Sequence, residues 1–266
     1  MKSIVRILGV VLLILYGAFL NAEEIKGIHL KDEYLRIPFS SISEGKTYNH
    51  LNPIKGTIEF WVKPDWSWDG KKDKDIPFFF WGKNRICNCI RIQRPGKYNI
   101  INFTVAGGNY KWLVSAIEYW RPEAKKVYKL KEKGWHHIAA CWDTENGKEE
   151  RKIFLDGKSV AEVESSNHPE RKFSGIVEEE FYIYIGAKKD NAGLLKANVS
   201  PMMSIAEFRI SDMVRYKGEF VPKKKLSCDK HTLLYIPFEG NLEGIYYREG
   251  KTPGKVKIEK RKIEKK

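Results

Sequence analysis

Helical periodicity is the first thing missing from this 266-residue sequence. Between Glu24 and Arg248 no amphipathic stretch reaches the dozen residues of an ordinary packed helix. That sets aside helical bundles and folds built on crossover helices. Long apolar runs are equally scarce. The single one, Ile7 to Leu20, is about 14 residues long, short of the ~20 needed to span a bilayer. It follows Lys2 and Arg6 and ends in "LNA" before Glu23 and Glu24. This is the charged, apolar, small-residue order of a secretory signal peptide. The expectation is a signal peptide over residues 1–22 and an exported chain. Periplasm, medium and cell surface stay open as destinations, as does retention of the segment as an anchor.

Chemistry-bearing motifs are sparse too. No Gly-x-Ser-x-Gly is present, so the nucleophile elbow of the α/β-hydrolases is missing. Cysteine is limited to Cys87, Cys89, Cys141 and Cys228. The "CNC" spacing is C-x-C, with no second pair to complete a zinc knuckle. On a strand, Cys87 and Cys89 point the same way and cannot readily bridge to each other. In an oxidising compartment either could pair with Cys141 or Cys228, and sequence alone leaves that choice open.

Acidic residues are the minority, 34 against 48 Lys and Arg, for a formal charge of +14. The segment from Lys251, "KTPGKVKIEKRKIEKK", carries eight basic and two acidic residues. It reads as a basic, disordered tail over residues 249–266, suited to association with an anionic envelope. Export argues against nucleic acid as a partner.

What the chain does have is alternation. "GTIEFWVKP" (56–64) places Ile58, Phe60 and Val62 on one face and Thr57, Glu59 and Trp61 on the other. "YNIINFTVAGG", "RKIFLDGKSVAEV", "EFYIYIGA" and "SIAEFRISD" read the same way and are rich in β-branched and aromatic residues. Asn146-Gly147 and Asp156-Gly157 are hairpin turns between such runs. About a dozen strands at short spacing give an all-β antiparallel sandwich or barrel. "YLRIPFS" (34–40) echoes "LLYIPFEG" (233–240), as expected of first and last strands in one sheet. Residues 23–248 would then form a single domain.

The order of pieces carries a resemblance. "GTIEFWVKPDW", "FFFWGKN", "WHHIAACWD", "KIFLDGKSV", "YIYIGA", "AEFRISDMVRY" and "TLLYIPFEGN" follow one another, and the series resembles the laminin G-like, concanavalin A-like jelly-roll family. The resemblance implies two curved antiparallel sheets of six or seven strands each, packed face to face. It also implies an exported binding module, for carbohydrate or, alternatively, for protein at the cell envelope. Glucanases of this fold carry Glu-x-Asp on a strand, so that alternate carboxylates share a face. None of the ten aspartates here has Glu two positions before it. The chain therefore reads as non-catalytic, with a glycan-active enzyme of unrecognised mechanism as the remaining rival. No cofactor is required. A structural calcium is open, with Asp32, Glu207 and Asp212 as the acids nearest the family position, although Ala206 stands where the family often has Asp.

Two sets of side chains compete as a site. "GWHHIAACWD" (134–143) gathers His136, His137, Cys141 and Asp143. Alternation sends the two histidines to opposite faces, so they cannot converge on a metal. The stretch reads as a packed strand, and Trp61, Trp81, Trp135 and Trp142 read as core. Trp66, Trp68, Trp112 and Trp120 instead sit among polar neighbours. With Asp69 and Tyr110 they form the candidate ligand-binding set, since flat rings stack on sugar faces while nearby polar groups bond the hydroxyls.

Overall fold

The structure is a computed structural model that describes residues 24–65, 75–84, 87–95, 101–108, 112–116, 134–147, 150–160, 181–196 and 201–263. Its strands in chain order are β1 (Ile28–Leu30), β2 (Glu33–Pro38), β3 (Ser40–Ser43), β4 (Lys46–Asn49), β5 (Lys55–Pro64), β6 (Ile76–Gly82), β7 (Cys89–Arg94), β8 (Asn102–Ala106), β9 (Trp112–Ala116) and β10 (His136–Asp143). There follow β11 (Glu150–Leu155), β12 (Lys158–Val160), β13 (Tyr182–Ile185), β14 (Lys188–Lys189), β15 (Leu195–Lys196), β16 (Met203–Ser211), β17 (Thr232–Ile236), β18 (Glu243–Tyr246), β19 (Gly254–Lys257) and β20 (Glu259–Lys262). Among the described residues the helical content is one 3-10 turn, Glu145–Gly147.

All pairings are antiparallel. One sheet runs β12-β11-β10-β5-β16-β17-β18-β19, with β1 added beside β16. The other runs β20-β2-β13-β6-β7-β8-β9. The expected sandwich is present, with more strands in the first sheet than foreseen. Alternation places Ile58, Phe60, Val62, Ile138, Ala140 and Trp142 on the inner face of the first sheet, facing Phe78, Phe79, Trp81, Ile90 and Ile92 of the second. Phe208 ties the sheets, stacked 6.0 Å from Phe60 and 6.2 Å from Phe79.

Strand β16 changes neighbours halfway. Its first residues pair with β1 and its last with β17. The switch falls at an irregularity between Ala206 and Arg209, where Glu207 takes φ 50°.

Three expectations need correction. The C-terminal segment is not a disordered tail: β19 pairs with β18 in one sheet and β20 with β2 in the other. The reason is alternation hidden by lysine in β19, where Val256 and Ile258 are buried beside exposed Lys255 and Lys257, with Ile263 buried just after β20. The sandwich therefore extends past residue 248. Next, "YLRIPFS" and "LLYIPFEG" do not share a sheet; β2 lies in one and β17 in the other. Matching burial patterns gave them matching sequences without shared pairing. Lastly, Trp81 and Trp142 are core, but Trp61 and Trp135 are only half-buried. Trp61 lies on the outer face of β5, where its Nε1 donates to the Lys223 carbonyl at 3.1 Å.

That outer face is covered. The 212–231 connection between β16 and β17 folds across it as a strap, packing Val214, Tyr216 and Phe220 onto Ala139, Cys141 and Phe154. Strand β10 is consequently buried on both faces.

Candidate functional site

The outer face of the second sheet is built by the strand residues that alternate with its core residues. In β2, Leu35 and Ile37 point inward, so Tyr34 and Arg36 point outward. In β13, Ile183 and Ile185 point inward and Tyr182 and Tyr184 outward. Register then sets Arg36 beside Tyr184 and Glu259 beside Arg36, while Arg261 stands beside Tyr34. Strand pairing thus gathers three tyrosines, two arginines and one glutamate from β2, β13 and β20.

Their contacts form one network. The Tyr184 ring lies 6.4 Å from Tyr34 and 6.5 Å from both Tyr182 and Phe80. The Arg36 guanidinium sits 4.4 Å over the Tyr182 ring, a cation–π contact that fixes both planes. Arg36 donates to Glu259 Oε2 through Nε at 3.2 Å and Nη2 at 2.6 Å. Arg261 reaches the same oxygen. Bonding to Arg261 and Arg36 holds the Glu259 carboxyl below the usual carboxylate range, so it is an acceptor at neutral pH. Tyr184 is 6% exposed, and burial pushes its phenol upward, so it stays protonated. Tyr34, Arg36 and Tyr182 are half-buried, and Phe181, immediately before β13, is 80% exposed.

The expected site residues do not supply this surface. Trp66, Trp68, Asp69, Tyr110 and Trp120 lie outside the described residues. Trp112 opens β9, at the far edge of the same sheet from β20. The signal for Tyr34, Arg36, Tyr182 and Tyr184 was available in "YLRIP" and "FYIYIG", where aromatic or cationic residues alternate with Leu and Ile.

The "GWHHIAACWD" stretch divides over two faces as alternation requires. His136 Nδ1 lies 2.8 Å from Asp156 Oδ2, and the His137 amide donates to Asp156 Oδ1 at 2.8 Å. The His137 ring is fully buried beneath the strap, edge-on to Trp61 and Phe220. Cys141 is buried, and burial pushes its thiol to about 11, as it does that of Cys89. None of the four cysteines is joined in a disulfide.

The three acids considered for calcium do not meet. Asp32 occupies the β1–β2 turn, where its carbonyl accepts from the Ile263 amide. Glu207 Oε2 accepts from the Leu226 amide at 2.6 Å and from Tyr235 Oη at 2.8 Å. Burial raises its pKa, which favours the uncharged form. Asp212, five residues further along and therefore roughly 15 Å away at strand spacing, pairs with His231 at 3.0 Å. Calcium takes about six to eight oxygens at roughly 2.3–2.6 Å, so this trio does not fit it. Among the described residues no group of three or more His, Cys, Asp or Glu could hold a metal ion.

A smaller concavity of about 400 Å³ lies at one end of the sandwich, with Asn49, Asn52, Tyr48 and Tyr246 on its wall. Its rings are engaged in packing: Tyr246 is 3% exposed and lies 5.1 Å from both Tyr48 and His50.

A family model described as the concanavalin A-like lectin/glucanases superfamily matches residues 32–215. The chain belongs to this superfamily. No curated protein matches it in sequence. Solved structures resemble it at low identity. Tailspike protein 2 of Escherichia coli O157:H7 bacteriophage CAB120 is 12% identical, with a TM-score of 0.50 over 82% of this chain and 29% of the tailspike. The CBM40 of Ruminococcus gnavus IT-sialidase is 12% identical, with a TM-score of 0.47 over 72% of this chain and 92% of that one. A pentraxin of Limulus polyphemus is 11% identical, with a TM-score of 0.39 over 73% of this chain and 80% of that one. In this member of the superfamily, all the tyrosines of the outer face fall within the matched residues, while Glu259 and Arg261 come from beyond them.

Proposed function

We propose that the chain is a non-catalytic carbohydrate-binding module that takes its ligand on the outer face of the seven-stranded sheet. One observation carries the reading: half-buried Tyr34 and Tyr182 cluster beside Arg36 and Glu259 on the β20-β2-β13 side of the sheet, over the buried ring of Tyr184. Ring faces take up sugar C–H groups. Arg36 donates to sugar oxygens, and Tyr184, 6% exposed, backs the two outer rings from beneath. The bonds to Glu259 all fall on Oε2, which leaves Oε1 to accept from a hydroxyl. Membership of a superfamily of lectins and glucanases agrees with this use of the face.

The test is a glycan array with pull-downs on insoluble polysaccharides. Tyr34→Ala and Tyr182→Ala should each weaken binding about tenfold, in line with aromatic contacts worth ~1 kcal/mol. Full binding by both variants would sink the assignment of the face.

Export belongs to the same proposal. Residues 1–22 carry the signal-peptide order, and N-terminal sequencing of the protein recovered outside the cytoplasm should begin near Glu23. Recovery only as uncleaved protein within the cytoplasm would count against it.

A further inference from the structure

A strongly cationic groove remains unused by this reading. It encloses about 1030 Å³ at the edge of the sandwich, where β19 of one sheet passes through Ile258 into β20 of the other. Its floor includes Val256 and Ile258, both buried. Its walls carry Arg248, Lys255, Lys257, Lys260 and Arg261 against a single carboxylate, Glu259. Acids just outside partly offset this: Lys255 meets Glu243 at 3.2 Å, Lys260 meets Glu33 at 2.6 Å and Arg248 meets Glu44 at 3.3 Å. The Lys255–Glu243 pair is solvent-exposed, and such pairs contribute about 1 kcal/mol or less, so an incoming anion displaces it at little cost. Lys257 is exposed and has no acidic partner among the described residues.

The cations are arranged in steps. Lys255 and Lys257 are two apart on one strand, so they point the same way, roughly 7 Å from each other. That spacing suits a chain bearing repeated charge better than one small ion. The groove also continues into the tyrosine face. Glu259 and Arg261 wall the groove and pair in register with Arg36 and Tyr34. A ligand following this surface meets aromatic rings and then a row of cations.

We infer that the ligand is an acidic polysaccharide, carrying carboxylate or sulfate groups, whose chain runs from the Tyr34–Arg36 face around β20 into this groove. The inference rests on the glycan reading and narrows it. Most of the groove lies beyond residues 32–215 of the superfamily match, so the charge preference belongs to this chain's own last strands. Tyrosine faces take the sugar rings, and the lysines take the anionic substituents.

The experiment is calorimetric titration with dextran sulfate, polygalacturonate and uncharged dextran at low and physiological salt, beside a neutral-glycan array. The comparison is the protein with Lys255→Glu and Lys257→Glu together. Both side chains are exposed, and the melting temperature reports whether the fold is kept. The expected result is binding of the acidic polymers that weakens with salt, and a further loss of about tenfold in the double variant at unchanged melting temperature. Neutral glycans bound as tightly as acidic ones, with the double variant silent, would overturn the acidic assignment and leave the glycan reading standing. Failure of every polysaccharide, neutral and acidic, would overturn both. Tighter binding to duplex DNA or to phosphatidylserine vesicles than to dextran sulfate would also overturn the inference.

Discussion

His50 lies fully buried beneath the β3–β4 hairpin. Its Nδ1 donates to the Leu233 carbonyl at 3.1 Å, and its Nε2 accepts from the Ser41 hydroxyl at 2.8 Å. Burial lowers its pKa from 6.5 to about 4. The unfolded chain therefore takes up this proton first. The neutral ring's contribution is fully present above about pH 6.5 and is lost as pH falls towards 4, up to ~3 kcal/mol in all. The melting temperature should drop across that window, and His50→Gln should flatten the drop; an identical pH profile in the variant would refute the assignment. Glu59 has the same sign by another route. It is fully buried, and Arg209 donates to Oε1 at 2.9 and 2.7 Å while Tyr216 donates to Oε2 at 2.7 Å. Burial acts to raise its pKa, but His137 and Arg209 outweigh burial and hold it low. Glu59→Gln leaves Arg209 in the interior without its counter-charge. Urea unfolding should show a loss of about 3–5 kcal/mol, and a loss under 1 kcal/mol would show that the pair is dispensable.

At the scale of elements, the strap decides which faces exist. It closes over the first sheet at β10 and β11, and the face proposed for the ligand lies on the second sheet, on its β20-β2-β13 side. Its anchor is the Asp156-Gly157 turn, both residues at positive φ. The Phe220 amide donates to the Gly157 carbonyl at 2.9 Å, and a Cβ on Gly157 would lie 1.8 Å from the Phe220 carbonyl oxygen. Gly157→Ala should therefore cost more than the ~1 kcal/mol of an ordinary glycine replacement and expose the strap to proteolysis. Unchanged protease resistance would mean that the strap does not depend on the turn. The turn itself was legible in "LDGKSV", because Asp-Gly between alternating runs has few other readings. The strap was not. "MVRYKGEFVP" shows no period, and what pins it is Thr57, Trp61 and Glu207, distant residues whose pairing no local pattern announces. The tyrosine face was half legible: alternation names its residues, but only the register of β2 between β13 and β20 brings them together.

For the molecule as a whole, the last strands are the least expected feature and the most readily tested. Val256, Ile258 and Ile263 are buried, and side chains of this size are worth about 1.5–3 kcal/mol each when withdrawn from water. Removing residues 251–266 should lower the melting temperature and increase binding of a hydrophobic dye. An unaltered melting curve would return these residues to the status of a tail. Net charge misled the reading here, because eight basic residues hide three apolar ones, of which Val256 and Ile258 alternate with lysine.

The pairing of β5 with β16 has a kinetic consequence. Glu59 and Arg209 are 150 positions apart, yet their strands form the middle of the larger sheet. A chain emerging from its N-terminus can make local hairpins such as β10–β11, but it cannot close this centre until β16 has appeared. Non-local closure of this kind is slow, on the order of milliseconds to seconds even for small β domains. A freshly made polypeptide thus stays unfolded through most of its synthesis, the state in which a chain can still be threaded through a narrow pore.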